Sequence, residues 1–133
     1  MGTISPIWSH ESRFFAEPSS ASRARAFVSR HLTEHGRAYL VESARLVVTE
    51  LAANAMTHAQ TPFTVTLSES DDLVRLAVED GSSRAPVRVV AHEQDTSGRG
   101  LSIVATMSQD WGFTLHPAGR KTVWASFPSL PGG

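Results

Sequence analysis

The chain has no cysteine, so disulfides and thiolate metal centres are excluded. It does not need them, because a domain of 133 residues buries about two-thirds of its unfolded surface. Lysine is almost absent too: Lys121 stands alone against eleven arginines. An excess of either charge is also missing, since 12 basic residues meet 13 acidic ones for a net charge of -1. That balance predicts no nucleic-acid patch and no polybasic membrane segment. No apolar run approaches the length of a membrane span. The opening MGTISPIWSHESRFF lacks the basic region and apolar run of a signal peptide. The expectation is one soluble, cytoplasmic domain over residues 1–133, with neither nucleic acid nor membrane as a partner.

What is present is patterned. Residues 3–15 hold short apolar and aromatic pieces and read as an edge strand, with Pro6 suited to its beginning. EPSSASRARAFVSRHLTEHG opens with helix-start residues, continues with helical apolar spacing and stops at Gly36. A second helix is predicted from about Arg37 to Ala59, on the stripe Leu40, Ala44, Val47, Val48, Leu51, Ala55 and His58. Pro62 forbids its continuation. FTVTLSESDDLVRLAVED alternates as a β-hairpin around SESDD. A loop follows from Gly81 to Gly100, with at most a short strand at 87–90, and then a short helix with Leu101, Val104 and Met107 on its apolar face. DWGFTLH and KTVWASF form a second hairpin about PAGR. Hairpins clustered beside helices predict an α+β, two-layer α/β sandwich, with helices on one face of a mixed, mostly antiparallel sheet.

Three features carry chemistry. Glu50, Asn54 and His58 recur every four residues and so share one side of their helix. A solvated polar rim is the plain reading. The chemical reading is a carboxylate that can deprotonate a hydroxyl, an amide oxygen suited to magnesium, and a supporting imidazole. Asp80 falls on the apolar parity of its strand, where a carboxylate needs a donor. Asp80-Gly81 is either an ordinary strand-ending turn or an acceptor for an exocyclic amino group, with glycine admitting a flat ring. Gly98-Arg99-Gly100 is either a flexible linker or a phosphate cradle at a helix start. His31 and His35 have metal-compatible spacing, but no acidic partner is evident, and a solvated face is the expectation.

In this order the motifs resemble the GHKL superfamily of histidine-kinase-like ATPases, and within it the small stand-alone relatives of anti-sigma-factor serine kinases. ELAANAMTH is similar to the family's N box, EDGSS to its first glycine box, GRGLSIV to its second, and GRKTVWASF to its closing strands. The resemblance runs from about Ala21 to Phe127. It implies the Bergerat fold and an ATP site between helices and sheet, with ATP and magnesium as cofactors. Glu50 would be the general base, Asn54 the magnesium ligand and His58 a support. Asp80, with Gly81 and Ser82 beside it, would meet adenine. Gly98, Arg99, Gly100 and Leu101 would close a lid of about residues 81–100 over the phosphates. Thr122 matches a position near the base. Where many relatives carry Asp-x-Gly-x-Gly, this chain has DGSSRAP, with the single glycine Gly81 in place of two. Two functions follow from the resemblance. One is a serine/threonine kinase acting on an anti-sigma-factor antagonist. The other is a nucleotide-responsive binding protein without useful turnover. Either implies a protein partner, an antagonist or a sigma factor, and is compatible with a homodimer.

Overall fold

The computed structural model describes residues 6–82 and 96–130; the side chains of His58 and of residues 96–101 lie outside the description. Strand β1 (Trp8–Phe14) is followed by α1 (Ser19–Glu34), a 3₁₀ turn (Ala38–Leu40) and α2 (Val41–Asn54). A π-helical turn (Ala55–Ala59) extends α2, and the hairpin β2 (Phe63–Ser70) and β3 (Leu73–Asp80) comes next. Helix α3 (Thr96–Met107) and a second hairpin, β4 (Asp110–His116) and β5 (Arg120–Pro128), complete the order. The expected residues 3–5 of the first strand, the short strand at 87–90 and lid residues 83–95 lie outside the described residues.

The five strands form one sheet in the order β1-β2-β3-β5-β4. Every neighbouring pair is antiparallel, so the expected parallel component is absent among the described strands. Strand parity fixes the two faces. Phe63, Val65 and Leu67 on β2, Val74, Leu76 and Val78 on β3, and Val123, Ala125 and Phe127 on β5 are all buried. They meet Ala24, Val28 and Leu32 of α1 and Val47, Val48 and Leu51 of α2 in one core. Each fully buried Val, Leu or Phe contributes about 1.5–3 kcal/mol relative to exposure. Thr64, Thr66 and Ser68 point the other way and are only partly buried. That is the pattern of a two-layer sandwich with one face covered by helices.

The local endings follow from sequence. Gly36 takes φ 74°, and the bonds Arg37 N–H to Leu32 C=O (2.7 Å) and Gly36 N–H to Thr33 C=O (3.1 Å) close α1 in a Schellman motif. At the other end no side chain caps α1; the Ser20 hydroxyl instead donates to Phe15 C=O at 2.7 Å. The second helix is not the single α-helix the sequence predicts. After Asn54 its closure lengthens, with Gln60 N–H donating to Ala55 C=O at 2.8 Å. Helix α3 begins at Thr96, so residues 96–100 of the expected lid and the Gly98-Arg99-Gly100 backbone lie inside its first turns. Val104 is fully buried against the core, whereas Met107 is exposed and leaves the predicted apolar face.

The predicted solvated face at His31 and His35 is corrected. His31 is buried, its ring stacked on His10 of β1 with centroids 3.9 Å apart. His35 stacks on Trp8, and its Nε2 lies 2.9 Å from His10 Nε2. The aromatic content of β1 draws both rings inward. No group of three or more potential metal ligands occurs among the described residues.

Candidate functional site

Glu50 and Asn54 lie one turn apart at the C-terminal end of α2. Asn54 is 8% exposed, and its Oδ1 is buried without a hydrogen-bond partner. An unpaired buried acceptor costs about 1–3 kcal/mol, which a ligand at that oxygen would relieve. Glu50 is partly buried, and burial pushes its carboxyl above the ordinary value. Neither an ion pair nor a hydrogen bond holds Glu50 among the described residues. The α-helical row ends at Asn54, because the π turn changes the angular step before His58. Turns of this kind recur at functional sites.

The end of β3 is tied to this helix end. Thr61, just beyond the π turn, accepts Gly81 N–H through Oγ1 at 2.8 Å. A Cβ on Gly81 would stand 3.1 Å from Thr61 Cγ2, a tight contact that would push the Thr61 side chain back by a few tenths of an ångström. Asp80 is 4% exposed on the helix-facing side, as its parity predicts. Its donors are now visible. Ser82 N–H reaches Oδ1 at 2.9 Å, and Lys121 Nζ lies 3.3 Å from Oδ2. Lys121 sits directly opposite Asp80 in the β3–β5 register and is 1% exposed.

Lys121 is conspicuous in the sequence for its rarity and is not among the candidate site residues there. The signal was available: Lys121, Val123, Ala125 and Phe127 share one parity, so a strand read as half-buried places the lone lysine inside. The same rule moves Thr122 away. Thr122 faces the opposite side of the sheet, where its Oγ1 meets His116 Nε2 at 2.7 Å and Glu79 Oε1 at 3.4 Å. Thr122 therefore does not share a sheet face with Asp80. The side chains of His58, Gly98, Arg99, Gly100 and Leu101 fall outside the description, so the phosphate cradle is placed only by its backbone at the start of α3.

Elsewhere, a groove of about 610 Å³ on the outer side of α1 and α2 is bordered by Arg25, Leu46 and Thr49. Its lining does not include Glu50, Asn54 or Asp80, and its Thr49 hydroxyl donates to Arg45 C=O at 2.7 Å.

Residues 14–127 match the family profile described as the histidine kinase-like ATPase domain. The chain belongs to that family. No curated protein sequence matches it. Membership makes this an ATP-binding domain and agrees with the antiparallel sandwich. An adenine nucleotide needs an acceptor for its amino group, and the magnesium that accompanies its phosphates needs oxygen ligands. Asp80 and the unpartnered Asn54 Oδ1 fit those two demands. A neutral amide oxygen is also a suitable magnesium ligand beside substrate phosphates. No helix of the described residues is long and apolar enough to cross a membrane.

Proposed function

We propose that this ATPase-family domain is a magnesium-dependent serine/threonine protein kinase of the anti-sigma-factor type, acting in the cytoplasm on a small protein antagonist. The observation that carries this reading is the pairing of a partly buried Glu50, its carboxyl raised by burial, with the unsatisfied Asn54 Oδ1 one turn away. A carboxyl raised toward neutrality is a better general base than an exposed one. Glu50 takes the proton of the acceptor serine hydroxyl as that oxygen attacks the γ-phosphorus and the bond to the ADP oxygen breaks. Asn54 holds magnesium through Oδ1, and Asp80 holds the adenine amino group. Bound ATP and magnesium supply the phosphoryl group and the charge neutralisation. Most of the rate then comes from positioning and electrostatics.

The alternative, a nucleotide-responsive binding module without useful turnover, is favoured by DGSSRAP, whose single glycine, Gly81, stands in place of the two in Asp-x-Gly-x-Gly. Under either reading the partner is a protein, an antagonist or a sigma factor, and a second copy of the chain is a further candidate. Retention from lysate with and without magnesium-ATP, followed by phosphosite mapping on the retained protein, separates the two. A phosphoserine or phosphothreonine that disappears with Glu50→Ala supports the kinase. A retained physiological partner that is never phosphorylated by the wild type supports the binding module.

A further inference from the structure

Asp80 and Lys121 are both buried, with side chains 3% and 2% exposed and Nζ 3.3 Å from Oδ2. Lys121 is the chain's single lysine, and it occupies a position where Val123 and Ala125 continue the core face. Stability alone does not ask for it, because a buried ion pair is often no better than apolar residues of similar volume. Lys121 is the contact of Oδ2, while Ser82 N–H donates to Oδ1. An ionised carboxylate has about four lone-pair sites, so acceptor capacity remains after both contacts.

We propose that Lys121 is a specificity-determining residue of the nucleotide site, and that the Asp80–Lys121 pair accepts 6-oxopurine as well as 6-aminopurine nucleoside triphosphates. The inference rests on the ATP-site reading and extends it. A carboxylate alone accepts from an amino group at C6 but meets a carbonyl oxygen there as a second acceptor. An ammonium beside it supplies the missing donor. Adenine presents an N–H donor at C6 next to the N1 acceptor. A 6-oxopurine presents the reverse, an oxygen acceptor at C6 next to an N1–H donor. One acceptor and one donor side by side match either edge. Asp80 takes the amino group and Lys121 the ring nitrogen, or Asp80 takes N1–H and Lys121 the carbonyl. The ammonium has three rotatable donors on a flexible stem, so both arrangements are reached without moving the strand.

The test is isothermal titration of the full chain with ATP and with inosine triphosphate, which replaces the 6-amino group by a 6-oxo group and changes nothing else outside N1. The wild type is expected to bind the two within about tenfold. Lys121→Met is expected to weaken inosine triphosphate at least about thirtyfold while changing ATP by less than about fivefold. Lys121→Gln, which keeps a donor without the charge, is expected to restore part of the lost binding. A purely structural lysine would not give that rescue. Inosine triphosphate more than about a hundredfold weaker than ATP in the wild type overturns the proposal and leaves the ATP site standing, even if the Met variant fails to fold. Equal losses of both nucleotides in Lys121→Met overturn it too. Binding of neither nucleotide by the wild type removes the ATP-site reading, and this proposal with it.

Discussion

Glu69 grips Arg37 through both guanidinium contacts, Nε to Oε1 at 2.9 Å and Nη2 to Oε2 at 3.0 Å. Trp8 Nε1 adds a third donor to Oε1 at 3.2 Å. The bond from Arg37 lowers the Glu69 carboxyl below its ordinary value, and the carboxylate in turn raises Arg37. Three parts of the chain meet there: edge strand β1, strand β2, and the segment after the Gly36 stop. Glu69→Ala strands the Arg37 guanidinium and the Trp8 indole. Arg37 keeps some contact with solvent, so the expected loss is about 2–3 kcal/mol rather than that of a fully buried pair. Thermal melts should show a fall of about 6–12 °C. A change inside the noise would mean the fork is a surface pair of no consequence.

Acid stability should carry the mark of His31. Its imidazole is lowered from the ordinary 6.5, first by burial and next by the charge of His10. Arg30 lowers it further and Glu34 opposes. The unfolded chain therefore takes up this proton before the folded one does. Nothing is lost above 6.5, and stability falls as pH drops through that value toward the folded one. Glu69 acts lower down: its stabilisation is present above 4.5 and is lost as pH falls through its depressed folded value. His31→Gln should shrink the difference in melting temperature between about pH 7.5 and pH 5.5. An unchanged difference would assign the acid sensitivity to other groups.

With Asp80 as the proposed acceptor for the adenine amino group, Asp80→Asn should weaken ATP by about 1–3 kcal/mol, because one acceptor oxygen becomes a donor. It also leaves Lys121 buried without its counter-charge, so melting temperature falls at the same time. Affinity is therefore to be measured by calorimetry well below the melt. Undiminished ATP affinity in a folded Asp80→Asn variant would move base recognition away from this strand end.

Glu50→Ala separates chemistry from binding. Glu50 has no partner to strand among the described residues, and removing a partly buried carboxylate relieves a desolvation cost. ATP affinity and stability should stay near wild type while phosphotransfer to the partner falls about a hundredfold or more. An unchanged transfer rate would show that another group is the base.

The fold was legible where parity and periodicity act locally. Phe63 to Asp80 alternates so regularly that the burial of Asp80 could be read before its donor was known. Strand β5 obeys the same rule, yet Lys121 drew attention for its rarity rather than for its side of the strand. Thr122 was assigned by motif position, and the motif does not carry the parity that turns it toward Glu79. His31 was misread for a different reason. Its burial depends on the rings of β1, a contact between segments far apart in sequence that helical spacing does not encode. The π turn after Asn54 is a backbone closure with no residue signature comparable to proline or glycine.

Asn54 Oδ1 is proposed as the protein's oxygen for the magnesium that accompanies ATP. The measurement is ATP affinity by titration calorimetry, with magnesium and with chelator, for wild type and Asn54→Ala. Magnesium is expected to tighten ATP in the wild type and to do so far less in Asn54→Ala, while metal-free affinities stay within about a few-fold. An undiminished magnesium effect in Asn54→Ala, or no heat and no melting shift for the wild type at millimolar nucleotide, would contradict it.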